Sequence, residues 1–429
     1  QLNGGTLSAY QSFTTDPNRG ITLTAASSLN AQPGVEFNIV SPIVGAFGLT
    51  RLASETPVGT VVLGAANTFS SYNVTTANNI TTSGPASYGG ITKVTHNSGL
   101  GSGAVTVVAG TGTLQNQIQL AGGVTIANDF TTSGQGTDGA ANPTFGLVAS
   151  LTGNNTLTGT LSLTSGGGGT TMGAFAGSTL TFAGIVKAAA GQTVRDLNLY
   201  GAGNFVFSSA GSFLDGDVGA GTMLIVGNYL VASPGSTTIQ STANQYTGRT
   251  VVQNGGTLNV AQFADVNTVS SIGKGSAAGA NTDLAIDGGT LQYTGSSAQT
   301  TNRLFSIGNQ GGIIDASGSV TAASLKFTGT GAMGFNGYSS AGYAAETGDR
   351  TITLTGSNLG DNTIAVALGQ NSGLTSVLKT GAGRWILAGT NTYTGATTVS
   401  AGALEVASTG VIAAGGTVYV QSGTTFANA

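Results

Sequence analysis

Apolar and polar residues alternate along this chain in short bursts, and every burst ends at Gly, Asn, Ser or Asp. Thr351-Ile352-Thr353-Leu354-Thr355-Gly356 and Thr417-Val418-Tyr419-Val420 are representative. A period of two over four to six residues, rich in β-branched side chains, predicts strands with one inward and one outward face. No amphipathic helix with caps is evident. Many short strands between close turns fit a sandwich, a barrel or a solenoid, and internal repeats decide among these.

One unit reads Leu-x-x-x-Asn-x-aromatic/Leu-Thr/Ser-Gly. Its best copy runs from Leu387 through Asn391 and Tyr393 to Gly395. Further copies carry Asn155, Leu157 and Gly159, then Asn244, Tyr246 and Gly248, and a degenerate one carries Asn67 and Phe69. An apolar alternation and usually a glycine turn follow, as from Val399 through Gly402 to Leu404. A longer echo is also present. Asn3-Gly4-Gly5-Thr6-Leu7 resembles Asp287-Gly288-Gly289-Thr290-Leu291, and Asn18-Arg19 recurs as Asn302-Arg303. The stretch from Gly59 to Asn67 matches Gly383 to Asn391 at a larger offset, so the second copy carries about forty extra residues. At roughly twenty residues per rung this predicts about two added rungs, which a stack absorbs because each rung touches only its neighbours. A closed barrel could not. The expected fold is all-β, a right-handed parallel β-helix (β-solenoid) forming an elongated rod. It is read as one continuous solenoid over 1–429, with a repeat block at 1–84, divergent and linking rungs at 85–284, and a second repeat block at 285–429.

These repeats resemble the autotransporter-associated β-strand repeat, also called the passenger-associated transport repeat. The segment Leu378 to Leu387, continuing through Asn391-Thr392-Tyr393-Thr394-Gly395 to Leu404-Glu405-Val406, is similar to a near-ideal copy. The segment from Tyr246 through Gly255-Gly256-Thr257-Leu258 to Gly289-Thr290-Leu291 is similar to the linking repeats. With the N-terminal copy, the resemblance extends over more than half of the chain. It implies a β-helical passenger region of a large bacterial surface or secreted protein, located outside the cell or at its surface.

Composition agrees. Only 7% of residues are charged, against roughly 25% in ordinary soluble proteins. There are 72 glycines, yet hydrophobic residues reach 39%, enough to fold and too many for a disordered polar chain. Low charge suits stacked rungs, and Gly and Asn tolerate positive φ at corners. Cysteine is absent, which excludes a disulfide framework and thiolate chemistry. Twelve scattered basic residues form no phosphate-binding stripe, so nucleic acid is not an expected partner. No apolar run is long enough to span a membrane as a helix. Gln1 begins within a repeat, so the chain reads as a processed product or a segment of something longer.

Candidate chemistry is sparse. His96 is the single histidine, and no Gly-x-Ser-x-Gly elbow accompanies it. The closest acidic pairs are Asp215/Asp217, Asp283/Asp287 and Glu346/Asp349. Asp215 and Asp217 are the best catalytic or cation candidates, although Phe213-Leu214-Asp215-Gly216-Asp217 equally reads as a turn. Gly134-x-Gly136-x-x-Gly139 and Gly329-x-Gly331-x-x-Gly334 match a dinucleotide pattern without opening a helix. Tyr393, Tyr246 and Phe69 could form an exposed sugar-binding row, but recurrence at one motif position favours rung packing. Asn73-Val74-Thr75 and Asn79-Ile80-Thr81 fit a glycosylation sequon. No catalytic residue, cofactor or metal is expected. The expected role is a structural, non-enzymatic extracellular segment that self-associates end to end into a fibre or continues into further repeats. Two alternatives are an adhesin-type binding passenger, with glycans or a host or matrix surface as partner, and a polysaccharide-cleaving β-helix.

Overall fold

The computed structural model describes the chain except for residues 55–57, 79–88, 110–115, 135–145, 165–168, 193–194, 216–222, 228–231, 278, 340–341, 413–415 and 429. Among the described residues there is no helix. Among the described residues the strand pairings are parallel, apart from one antiparallel hairpin. The fold is a parallel β-solenoid, in which each rung lays its strands directly over those of the rung before. The chain divides into two compact units, Gln1–Gly219 and Ala220–Ala429.

In the first unit, one sheet has nine strands: Thr6–Ala9, Ser27–Ala31, Gly48–Ala53, Ser71–Asn78, Val105–Val108, Phe130–Ser133, Leu161–Leu163, Ile185–Ala188 and Ser212–Leu214. Register stacks like upon like. Leu49, Tyr72, Val105, Phe130, Leu161, Val186 and Phe213 follow one another in a single buried column. A neighbouring column runs through Leu29, Arg51, Val74, Val107, Thr132, Leu163 and Ala188. The period-two pattern creates these columns, because successive side chains leave opposite faces of a strand. Phe182 and Phe207 stack with ring centroids 4.9 Å apart on the facing sheet.

In the second unit, eight strands follow one another in one longer sheet: Ser236–Ile239, Thr257–Val260, Thr290–Tyr293, Gly312–Ala316, Arg350–Thr355, Thr375–Lys379, Thr397–Val399 and Val418–Val420. Its inner column reads Leu258, Leu291, Ile314, Leu354, Lys379, Val399. A six-stranded sheet runs from Gln299–Thr301 to Thr425–Asn428 and carries Trp385 and Leu404 inward.

The forty extra residues of the second repeat block are not two rungs. Before Gly59, strands of the nine-stranded sheet begin at Thr6, Ser27 and Gly48. Before Gly383, strands of the sheet that holds Thr290–Tyr293 begin at Thr290, Gly312, Arg350 and Thr375, which is one additional rung. The remainder forms the antiparallel hairpin Asn336–Ser339/Gly342–Ala345, between Leu325–Phe327 and Arg350–Thr355. Its position has a physical cause. The strands Met223–Val226, Thr250–Gln253 and Leu284–Asp287 bury nearly every residue, so they break the inward/outward rule. Ile225, Val251 and Ala285 form a second apolar column on their outer face, and Tyr343 of the hairpin packs against it. The Tyr343 hydroxyl donates to the Thr282 carbonyl at 3.0 Å, and the Arg249 guanidinium lies 4.1 Å from the ring centroid.

Candidate functional site

The repeat motif places its asparagine side chain at a corner where the backbone ladder would otherwise break. Asn391 Oδ1 accepts from Leu368 N at 3.0 Å, while its Nδ2 donates to Val411 O at 2.8 Å and Gly389 O at 3.0 Å. Asn67 repeats the arrangement, accepting from Ile43 N at 2.8 Å and donating to Gly99 O at 2.7 Å. One side-chain amide thus stands in for a peptide unit and joins the rung before to the rung after. This satisfies buried groups that would otherwise be costly. Asn155 holds Gly123 N and Val124 N of the preceding rung, and Asn244 donates to Ser271 O at 2.8 Å. Asn362, outside the recognised copies, does the same between Leu325 N and Arg384 O.

Phe69, Leu157, Tyr246, Leu387, Tyr393 and Leu404 are all buried. Tyr393, Tyr246 and Phe69 therefore form no exposed aromatic row. Gly395 and Gly159 sit where a Cβ would overlap the carbonyls of Thr375 and Asn128. Gly402 turns the chain at φ +66° against the carbonyls of Gly383 and Gly381, and Gly248 is half-buried.

A position four residues past the aromatic completes the motif and was not singled out in the sequence. The Tyr393 hydroxyl pairs with Thr397 Oγ1 at 2.8 Å, and that of Tyr246 with Thr250 Oγ1 at 2.7 Å. Where the aromatic is replaced by Leu157, the partner position holds buried Leu161 instead. In these three copies the two positions change polarity together, because a buried hydroxyl needs a partner and a buried methyl does not; after Phe69 the same position holds half-buried Asn73. Tyr393→Phe is expected to lose about 1–2 kcal/mol, since it leaves Thr397 unpaired. Adding Thr397→Val should restore most of that loss, as read by urea unfolding of both variants. Additive losses would show that the pair does not act as a unit.

The second feature missed by sequence reading is a set of cations turned inward. Arg51 occupies a column position between Leu29 and Val74, and Lys379 one between Leu354 and Val399. Both are fully buried. Their partners are backbone carbonyls. Arg51 donates to Gly59 O at 2.6 Å and to Leu52 O. Lys379 Nζ donates to Thr380 O at 2.5 Å, Gly381 O at 2.8 Å and Ala401 O at 3.0 Å. Arg303 donates to Ala264 O and Gly273 O. Each cation gathers carbonyls at a corner where the chain turns out of the ladder.

Burial pushes the Lys379 ammonium down to about 8. The unfolded chain, with an ordinary lysine near 10.4, binds more protons between those values. Stability should therefore rise with pH through the window from about 8 to about 10.4. The check is the urea midpoint at pH 7.5 and pH 10 for the wild-type chain and Lys379→Met. The wild type should gain relative to the variant on going to pH 10, and an unchanged difference would refute the reading.

The acidic candidates act as backbone holders. Asp283 accepts from Ser276 N at 2.6 Å and Ser276 Oγ at 2.8 Å, and Asp287 from Gln310 N at 3.0 Å. Glu346 accepts from Asn309 N at 2.8 Å and Asp349 from Leu374 N at 2.7 Å. Asp215 is half-buried beside strand Ser212–Leu214, and Asp217 lies outside the described residues. His96 Nδ1 accepts from Ser98 N at 3.1 Å, a local turn contact. Among the described residues, no group of three or more His, Cys, Asp or Glu side chains could hold a metal ion. Gly329 to Gly334 opens no helix, and Gly136, Gly139 and the Asn79 sequon lie outside the described residues. Asn73, of the other sequon, is half-buried in strand Ser71–Asn78. On the outer face, Arg384 bridges Asp361 and Glu405 across successive rungs.

Fold and corner geometry define a repeat solenoid whose rungs are joined by motif asparagines. Residues 233–260 and 377–406 match the model of the passenger-associated-transport-repeat family. The first segment contains Asn244, Tyr246 and Thr250, and the second contains Lys379, Trp385, Asn391, Tyr393 and Thr397. The chain thus carries this repeat at two places, a narrower extent than the resemblance read along more than half of it. Over 166 residues it is 37% identical to "Adhesin BmaC autotransporter" of Brucella suis biovar 1 (strain 1330), a match covering 38% of this chain and 4% of that protein. No solved structure matches it. No helix among the described residues is long and apolar enough to cross a membrane.

Proposed function

We propose that this chain is a non-enzymatic structural β-solenoid segment of a large bacterial passenger protein, displayed at the cell surface or released outside. The observation that carries the reading is that a matched repeat spends its motif groups on joining rungs. Residues 377–406 hold an asparagine joining neighbouring rungs, a buried Tyr–Thr pair and a carbonyl-bound lysine. These groups serve continuity of the stack, and none is presented to solvent for chemistry. The absence of cysteine fits export without oxidative trapping. In the parent bacterium, an antibody raised to this chain should label intact cells or the medium, and external protease should remove the signal. Label found only after lysis, in the soluble cytoplasmic fraction, would overturn the proposal.

A second reading, binding to a surface or glycan, is favoured by the similar Brucella protein, an adhesin. In that reading the solenoid is the scaffold and a ligand lies along its outer face.

A further inference from the structure

The outer surface of the second unit has a cleft of about 370 Å³, lined by Asn309, Gln310, Asp349, Arg350, Thr351, Leu374 and Ser376. Three separate segments meet there. Asn309 and Gln310 come from the turn after Ser306–Ile307, Asp349 to Thr351 from the start of Arg350–Thr355, and Leu374 with Ser376 from the start of Thr375–Lys379. Register places Thr351 beside Ser376 on adjacent strands. The backbone under the cleft is pinned, because Asn309 N donates to Glu346, Gln310 N to Asp287 and Leu374 N to Asp349. The cleft is therefore preformed, and a ligand need not order its loops.

Arg350 is the one buried residue of the lining. It is only 3% exposed, and its guanidinium is held by Ile307 O at 2.6 Å, Glu346 O at 2.9 Å and Gly348 O at 3.2 Å, with Phe335 beneath it at 4.9 Å. Its Nε–H is buried and has no hydrogen-bond partner.

The lining selects the ligand class. One cation and one carboxylate face the space, with Glu346 and Asp287 close behind Arg350. That balance disfavours an anion, and Arg350 disfavours a metal cation. What remains are amides, hydroxyls and a carboxylate, which donate and accept at close spacing. Leu374, 50% exposed, adds an apolar patch. Vicinal hydroxyls with an aliphatic ring face match this set, and the volume lies at the small end of ligand sites. We infer that this cleft binds one or two units of an uncharged saccharide. The inference rests on the binding reading above and gives it a site.

The test uses the full 429-residue chain. It is screened on an array of neutral and acidic oligosaccharides, and the best neutral glycan is then titrated calorimetrically. Gln310→Ala and Ser376→Ala should each weaken binding at least fivefold, and Thr351→Arg, which fills the cleft from an exposed position, should abolish it. All three variants should keep the wild-type urea midpoint. Retention of no neutral glycan, retention of acidic glycans only, or binding unchanged in Thr351→Arg would each overturn the inference. Surface labelling of the parent cell is read separately, so loss of this site leaves the display proposal standing or falling by its own result.

Discussion

Trp385→Ala is expected to be the most damaging single truncation in the second unit, at about 3–5 kcal/mol. Trp385 is the chain's single tryptophan and is fully buried, stacked in register over Asn362 and under Leu404. Its Nε1 donates to Thr355 O at 2.8 Å, tying the six-stranded sheet to the end of strand Arg350–Thr355. Alanine removes the ring, leaves a cavity between two rungs and frees that carbonyl. In a stack the damage is local, because stability is a sum over rungs and their contacts. Amide hydrogen exchange should therefore accelerate in residues 350–406 and stay near wild type in the first unit. Trp385→Phe keeps most of the apolar volume and loses only the N–H, so it should cost about 1–2 kcal/mol. Equal effects of the two variants, or uniform acceleration along the chain, would refute the assignment.

The parts of this fold legible in sequence are those enforced by period and by corner chemistry. Recurrence at one motif position set Tyr393, Tyr246 and Phe69 into the rung packing, where they are buried, and the recurring Asn-x-aromatic placed the corners. The same period also put Arg51 and Lys379 on inward phases, in Gly48–Ala53 and Thr375–Lys379. Nothing singled them out from the twelve scattered basic residues, because a buried cation is expected to have a carboxylate partner. Here the partners are carbonyls, which every residue carries and no motif marks. The hairpin Asn336–Ala345 was hidden for a related reason. Its Gly, Ser and Asn residues resemble the corners on either side, and only the doubly apolar strands Thr250–Gln253 and Leu284–Asp287 hinted that an outer face needed cover. The cleft had no local signal, since parallel stacking alone brings Gln310, Thr351 and Ser376 together. The missed Tyr393–Thr397 spacing was available in Tyr246–Thr250 and in its apolar counterpart Leu157–Leu161.

Asn391 gives the sharpest test of the rung joint. Its amide accepts from Leu368 N of the preceding rung and donates to Val411 O of the following one. Asn391→Leu keeps similar bulk but strands a buried donor on one side and a carbonyl on the other. With about 1–3 kcal/mol for each buried group left unsatisfied, the expected loss is about 2–4 kcal/mol. Trp385 lies in the same repeat, so its fluorescence reports the urea unfolding of this region directly. Asn391→Asp separates the two halves of the joint. It retains an acceptor for Leu368 N but sets a carboxylate against the carbonyls of Val411 and Gly389. Burial and those oxygens should raise its folded-state pKa above the unfolded value near 3.9. The folded state then binds more protons in the interval, so stability rises as pH falls through the folded pKa. At pH 7 Asn391→Asp should be less stable than Asn391→Leu. By about pH 4–5, where a protonated carboxyl can again donate to Val411 O, it should match or exceed it. If Asn391→Asp tracks Asn391→Leu at both pH values, the amide bridges no rungs and the aromatic and glycine positions alone define the repeat.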